Sequence, residues 1–299
     1  MSASHRCGLV TLIGRPNVGK STLLNRLVGS KISITSSRAQ TTRHRLLGIK
    51  TTPEAQIIYV DTPGLHASDE GIMNRYMNRV ASGSLEGVDC IVLLISSGGW
   101  EETDEYPLRL AMKQKIPVIL AINKVDLTKD RSRLLPLIKL SGEKADFAEI
   151  VPLSARVGTN VADLERAIIK YLPEQPAIYP ADQITDRSER FLAEELVREQ
   201  VFRSFRQEVP YATAVQVEQF KRLKGVLHID AVIWVEKEGQ KGILIGKAGA
   251  GLKNVGSRAR IEMQKLFGSK VHLNLWVKVR EGWSDSARSL RSLGYTDEG

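Results

Sequence analysis

Residues 14–21 read Gly-Arg-Pro-Asn-Val-Gly-Lys-Ser, directly after an apolar run at 9–13 and directly before a helical pattern at 22–28. Few folds are open to a chain that leaves a buried strand through a glycine loop and restarts at once as a helix. At the helix N-terminus the loop's backbone N–H groups converge, and glycine lets that backbone approach an anion closely. The spacing G-x-x-x-x-G-K-[ST] is that of a polyphosphate cradle. Gly14, Arg15, Pro16, Asn17, Val18 and Gly19 form the loop, Lys20 supplies a cation for the outer phosphates, and Ser21 supplies a hydroxyl for a magnesium ion.

The rest of the first half agrees with that start. Nearly continuous apolar runs at 9–13, 57–60, 91–95, 118–122 and 150–153 alternate with helical patterns, the last at 161–171 with Thr159 or Asn160 as its cap. Such runs belong to strands covered on both faces, so the pattern predicts a doubly wound α/β domain over 1–172. Pro173, Pro176 and Pro180 then mark 173–187 as a semi-rigid linker. A smaller α+β domain follows over 188–299: an amphipathic helix at 190–206, alternating strands at 214–220 and 227–235, a helical stretch at 243–267 interrupted by glycines, and a strand at 271–279. No apolar run reaches the roughly 18 residues of a membrane-spanning helix, and the polar N-terminus does not resemble a secretory signal. Cys7 and Cys90 both open apolar runs and read as small buried hydrophobes in a reducing compartment.

Three further motifs follow strand ends. Asp61-Thr62-Pro63-Gly64 places a carboxylate for magnesium and the Gly64 N–H for a γ-phosphate. In Asn123-Lys124-Val125-Asp126, Asp126 is the candidate acceptor for the N1–H and 2-amino group of guanine, donors that adenine lacks in that arrangement. Asn123 would bridge loops, and Lys124 would pack along base and ribose. At Ser154-Ala155-Arg156 the Ala155 N–H is the candidate donor to the guanine oxygen. Between the first two motifs lies Gln40-Thr41-Thr42-Arg43-His44, and Thr42, with Thr41 second, is the expected switch threonine closing over magnesium. His44 and His66 flank the site in sequence, where either is a candidate base, but both fall in loop segments and read rather as surface histidines. Leu65 stands where many regulatory GTPases carry a water-orienting glutamine; here the chain resembles the GTPases with a hydrophobic residue in that place, and the resemblance implies slow turnover alone.

In the second domain, Gly246-Lys247-Ala248-Gly249 sits between two apolar helical segments and resembles the G-x-x-G turn of the KH fold, which clamps a single-stranded nucleic-acid backbone. The chain carries a net charge of +9, and residues 241–291 hold eleven basic and three acidic side chains. That concentration points to an RNA surface, with Gly246, Lys247, Ala248, Gly249, Lys253 and Arg258 as candidate contacts. Trp276 and Trp283 are candidates for base stacking, with Trp276 equally placed to be a core strand residue.

The four nucleotide motifs, in this order over about residues 6–172, resemble the translation-factor-like GTPases. Nearly end to end, the chain resembles the Era family of bacterial ribosome-assembly GTPases, on the loop 14–21, the segment 40–44, Asp61 to His66, Asn123 to Asp126 and the Gly246 turn. The resemblance implies GTP/GDP and Mg2+ as ligands and a type 2 KH domain. It also implies binding near the 3′ end of 16S ribosomal RNA, assistance to maturation of the small (30S) subunit, and a cytoplasmic protein with some peripheral inner-membrane association. GTP binding and hydrolysis would switch RNA affinity. Lys20, Asn17, Thr42 and Gly64 would carry catalysis, and Ser21, Thr42 and Asp61 would hold the metal. In related GTPases the asparagine at the position of Asn17 helps bind K+ beside the phosphates. Arg156 departs from the commoner lysine, with little consequence for a backbone contact. Other readings of the same residues are a GTPase acting on the large subunit or on tRNA, a GTP-binding module with negligible hydrolysis, and an ATPase, against which Asp126 argues.

Overall fold

The structure is a computed structural model that describes residues 5–36, 38, 40–65, 71–128 and 130–295. The first domain runs β1 (Arg6–Ile13), α1 (Lys20–Val28), β2 (Leu46–Thr51), β3 (Ala55–Asp61), α2 (Ile72–Gly83), β4 (Cys90–Ser96), α3 (Glu105–Met112), β5 (Val118–Asn123), α4 (Leu134–Lys144), β6 (Glu149–Pro152) and α5 (Val161–Lys170). Its sheet has the order β2-β3-β1-β4-β5-β6, all parallel except β2, which pairs antiparallel with β3. Alternate residues serve opposite faces. Val92 and Leu94 pack under α1 and α5, whereas Ile91, Leu93 and Ile95 pack under α3. Both cysteines are free and fully buried, and burial pushes the Cys90 thiol up to about 12.

β2 escapes the apolar-run reading because Gly48 and Lys50 interrupt it. A side chain at Gly48 would stand 2.6 Å from Leu24 Cδ1 and 2.8 Å from Val28 Cγ2, so anything larger than glycine there would push side chains of α1 aside. The proline segment also differs from a free linker. The fully buried side chain of Gln56 accepts from the N–H groups of Ile178 and Tyr179 and donates to the carbonyl of Tyr179. Further on, the Ile49 N–H donates to Ile184 O and the Leu47 N–H to Asp186 Oδ1. The segment is strapped along the sheet edge because β2 and β3 leave backbone and amide groups there that need partners.

The second domain runs α6 (Glu189–Ser204), β7 (Ala214–Leu223), β8 (Val226–Val235), α7 (Glu238–Ile245), α8 (Ala250–Phe267), β9 (Lys270–Val279) and α9 (Ala287–Ser292), with sheet order β7-β8-β9. β8 pairs antiparallel with β7 and parallel with β9. Ser188 caps α6 by accepting from the Phe191 N–H. The amphipathic expectation for this helix fails in an informative way. Leu196, Val197 and Val201 join the core of the second domain, but Arg198, Glu199 and Gln200 are buried as well. Arg198 is covered by Thr41, and Glu199 by Lys31 and Thr35, all of the first domain. At the other junction, Tyr76 and Met77 of α2 share a cluster with Trp283, Leu290 and Tyr295.

Candidate functional site

β1 delivers Gly14 to the sheet's C-terminal edge, where the loop turns with φ 148° at Gly14, 63° at Asn17 and 105° at Gly19. A side chain at Gly14 would meet the carbonyl oxygen of Leu94 at 2.5 Å, and one at Gly19 would meet the amide of Asn123 at 2.3 Å. Both glycines are therefore required by close approach as well as by φ. Lys20 Nζ curls back over the loop and donates to the carbonyls of Gly14 (2.9 Å) and Arg15 (3.0 Å). Burial pulls its pKa down to about 8, against the opposing pull of Asp61. Arg15 is fastened outside the loop by ion pairs to Glu101 and to the buried Asp104. Asn17 is exposed, and its residue lines the cavity together with Pro16, Ser21, Thr42 and Gly64.

The structure brings Ser21, Thr42 and Asp61 together. Ser21 Oγ lies 2.8 Å from Thr42 Oγ1 and donates to Asp61 Oδ2 at 3.0 Å. Asp61 also accepts from Ser33 Oγ at 2.7 Å, a residue with no motif to mark it in the sequence. Burial raises the Asp61 pKa, offset in part by Ser33 and Lys20. Its Oδ1 is buried without a hydrogen-bond partner among the described residues. A small hard cation suits this set, with two hydroxyls and an unsatisfied carboxylate oxygen. Thr41 also lines the cavity, but its hydroxyl is engaged, donating to Arg38 O at 2.8 Å. Gly64 packs against Pro16, where a side chain would come within 2.9 Å. Leu65 is 2% exposed and lies in the core with Ile13 and Leu93, so it takes no part in the cavity. Thr62 donates to Leu12 O at 3.1 Å, which ties the Asp61 loop to β1.

Asn123 joins three loops. Its Nδ2 donates to Val18 O (2.7 Å), and its Oδ1 accepts from the N–H groups of Lys124 (2.7 Å) and Ala155 (2.9 Å). The Ala155 N–H is thus already engaged, and a guanine oxygen would have to share it. Ser154 Oγ donates to Asp126 Oδ1 at 2.6 Å and so aims an exposed carboxylate. Lys124 has a left-handed φ of 68°, and burial lowers its pKa. Arg26 of α1 donates to Ala155 O at 3.2 Å and steadies the same loop, a role that only the tertiary structure shows.

His44 is not a surface histidine. It stacks on Tyr295 at 4.7 Å and meets Phe191 and Tyr76 edge-on. Burial, ahead of any charge, holds its pKa down at about 4. His66 lies outside the described residues.

In the second domain, Gly246 (φ 71°), Ala248 (φ 50°) and Gly249 (φ 78°) turn the chain between α7 and α8. The tight spot is Gly251, where a side chain would stand 2.6 Å from Leu244 O. Lys247 is exposed at the turn. A groove runs from Gly249 along α8 and β9, lined by Lys253, Gly256, Arg260, Asn274 and Trp276. Trp276 is 46% exposed there, whereas Trp283 is fully buried and donates to Ala212 O. Only Trp276 is therefore free to stack. Arg258 is exposed but does not line the groove; Arg260 does. The helical spacing 249-253-256-260 is the signal that would have selected it.

Comparisons with known proteins agree with this geometry. A family model described as "50S ribosome-binding GTPase" matches residues 9–124, and one described as "KH domain" matches residues 208–284. The chain is 54% identical over 291 residues to the GTPase Era of Stenotrophomonas maltophilia (strain K279a), covering 97% of this chain and 98% of that one. It is 52% identical over 292 residues to the GTPase Era of Marinobacter nauticus, covering 98% and 96%. A crystal structure of Era in complex with MgGDPNP and nucleotides 1506-1542 of 16S ribosomal RNA superposes with TM-score 0.94 at 42% identity, covering 98% and 99%. That of a point variant of Aquifex aeolicus Era bound to GDP.AlF4- gives TM-score 0.94 at 41% identity, covering 97% and 99%.

Proposed function

The chain belongs to the Era family of GTPases, and on that premise we propose that it spends GTP to time its hold on RNA near the 3′ end of 16S ribosomal RNA during small-subunit maturation. The observation that carries the nucleotide half is the meeting of Ser21, Thr42 and Asp61 beside the phosphate loop, with one carboxylate oxygen unsatisfied. These three residues would hold Mg2+, which would supply charge neutralisation for the nucleotide's phosphates. Lys20 faces the outer phosphates, the Gly64 N–H meets the γ-phosphate, Asp126 reads guanine, and Lys124 covers the base. With Leu65 in the core, the transition-state charge needs another partner. Asn17, exposed on the loop, is the residue that would help hold K+ there. Comparing turnover in potassium and sodium for the parent and Asn17→Ala tests this; equal rates throughout refute it.

The groove between the Gly246 turn and Trp276 holds single-stranded RNA, with Lys247, Lys253 and Arg260 on its phosphates. We place the GTPase domain at 1–172, the strap at 173–187 and a type 2 KH domain at 188–299. The small-subunit assignment follows the full-length structural relative solved with a 16S segment. A large-subunit target has one observation in its favour, the description of the family model over 9–124. That match stops short of the groove, so it speaks to the nucleotide machinery rather than to RNA choice. A crosslinking map of RNA bound in cells decides: crosslinks at the 16S 3′ end support the assignment, and crosslinks confined to large-subunit RNA or tRNA overturn it. Among the described residues no helix is long and apolar enough to cross a membrane. We propose a cytoplasmic protein with a peripherally inner-membrane-associated fraction, held by attraction of its basic surface to anionic lipid.

A further inference from the structure

We infer that Arg198, on helix α6 of the second domain, is a positioning residue for GTP hydrolysis, holding Thr42 beside Ser21 and Asp61 through the carbonyl of Thr41. The inference rests on the reading of Thr42 as the switch threonine. Arg198 is 1% exposed, and its Nη2 donates to Thr41 O at 2.5 Å. The guanidinium cannot swing, because Nε and Nη2 also fork onto the two oxygens of Glu195 at 2.7 and 2.5 Å. On the far side of Thr42, the buried side chain of Arg43 donates to the carbonyls of Thr213 (2.8 Å) and Tyr211 (2.8 Å). Residues 41 and 43 are thus both fastened to the second domain, and Thr42 between them turns the other way, with its hydroxyl 2.8 Å from Ser21 Oγ.

The next residue on α6 extends the hold. Glu199, fully buried, accepts from the Thr35 N–H at 2.9 Å and pairs with Lys31 at 2.6 Å; Lys31 also pairs with Glu262 of α8 at 2.9 Å. Thr35 lines the nucleotide cavity, and α8 lines the RNA groove. The arrangement is poorly explained as a device for stability alone. Arg198 Nη1 is buried without a hydrogen-bond partner among the described residues, a cost that an apolar side chain would avoid. The pair is explained by what it fixes, the backbone on one side of Thr42.

The test uses the full chain and compares the parent, Thr42→Ala, Arg198→Lys, the pair Glu195→Gln/Arg198→Met, and Thr42→Ala/Arg198→Lys. Affinities for a non-hydrolysable GTP analogue and for GDP are measured with Mg2+, alongside single-turnover hydrolysis and the urea midpoint. Lysine keeps a cation opposite Glu195 but lacks the fork, and the double replacement leaves no lone buried charge. Arg198→Lys should lower the GTP-analogue preference over GDP roughly ten-fold and slow hydrolysis by about ten- to a hundred-fold, with GDP affinity unchanged. The Glu195→Gln/Arg198→Met pair should do the same. In the Thr42→Ala background, Arg198→Lys should add nothing. If Thr42→Ala lowers the preference and neither Arg198 variant does, or if their effects add, Arg198 does not act through Thr42. If Thr42→Ala itself leaves the preference unchanged, the assignment of Thr42 fails first, and this inference falls with it. A changed urea midpoint with an unchanged preference marks Arg198 as structural only and overturns the inference.

Discussion

In the proposed reading of guanine the working group is a single exposed carboxylate, that of Asp126. Ser154 occupies Oδ1 at 2.6 Å, which fixes the plane of the group and leaves it one orientation toward the cleft. Asp126→Ala should weaken GTP binding by roughly a hundred-fold, because two charge-assisted hydrogen bonds are lost and two guanine donors are left unpaired. ATP binding should hardly move, so a GTP/ATP competition assay should show the discrimination collapse. Ser154→Ala should weaken GTP more mildly, since the carboxylate stays and only its aim loosens. At the other site the informative residues are Trp276 and Arg260. Trp276→Ala should weaken single-stranded RNA about ten-fold, the usual value of one stacked base, with no change for GTP. Arg260→Ala should reduce the slope of log affinity against log salt by about one, while Arg258→Ala, off the groove, should leave it unchanged. An equal effect of both arginines would mean that the RNA leaves the groove and covers the outer face of α8.

Among the elements, the segment 40–45 is where sequence pattern and packing diverge most. Its polar letters look like a solvated loop, yet Arg43 and His44 are enclosed by α2, α6 and the chain near Tyr295. Enclosure has a pH consequence. The His44 pKa falls from 6.5 to about 4, mainly through burial, with Glu195 pulling it up and Arg198, Arg187 and Arg43 pushing it down. Between those two pH values the unfolded chain binds a proton that the folded chain refuses, so stability is lost as pH falls from 6.5 toward 4. The loss is at most roughly 3 kcal/mol. Glu194 works in the opposite sense. Burial raises its pKa to about 7, so its folded form holds the proton more tightly and its contribution declines as pH rises from about 4.5 to 7. The wild-type profile mixes both, and a His44→Phe variant, which keeps the aromatic stack, isolates one. Urea midpoints across pH 4 to 7 should fall less steeply on the acid side in the variant; parallel profiles would mean that His44 is solvated and charged normally.

Across the whole molecule, a segment that lines the nucleotide cavity and a helix that follows the Asp61 loop in sequence are both docked on the second domain. Lys31, Thr35 and Thr41 are held by α6, and α2 lies on Trp283, Leu290 and Tyr295. A movement of either domain must therefore change contacts of the other, which is the physical content of the proposed switch. Thermodynamic linkage makes the coupling reciprocal. If a GTP analogue raises affinity for an RNA from the 16S 3′ end over that with GDP by some factor, this RNA must raise preference for the analogue by the same factor. Equal RNA affinity with GTP analogue, GDP and no nucleotide would remove the switch while leaving both binding sites intact.

The sequence by itself determined the parts whose signal is local. The loop 14–21, Asp61 to Gly64, Asn123 to Asp126 and the Gly246 turn each depend on backbone freedom or on a fixed spacing beside a strand or helix, and such demands are written in neighbouring letters. Of the parallel strands, β1, β3, β4 and β5 were legible for the same reason, as largely apolar runs covered on both faces, and the edge strand β6 as a shorter apolar run. β2 was not, because an antiparallel edge strand with a glycine over α1 carries no such run. Arg260, Ser33 and Arg26 have no motif, since their roles come from the elements opposite them. Tertiary structure alone decided that Arg198, Glu199 and Arg43 are buried and that His44 is half-buried within a ring cluster. Each has a polar side chain at an ordinary position, and only the meeting of two domains supplies the carbonyls, carboxylates and rings that make its burial tolerable.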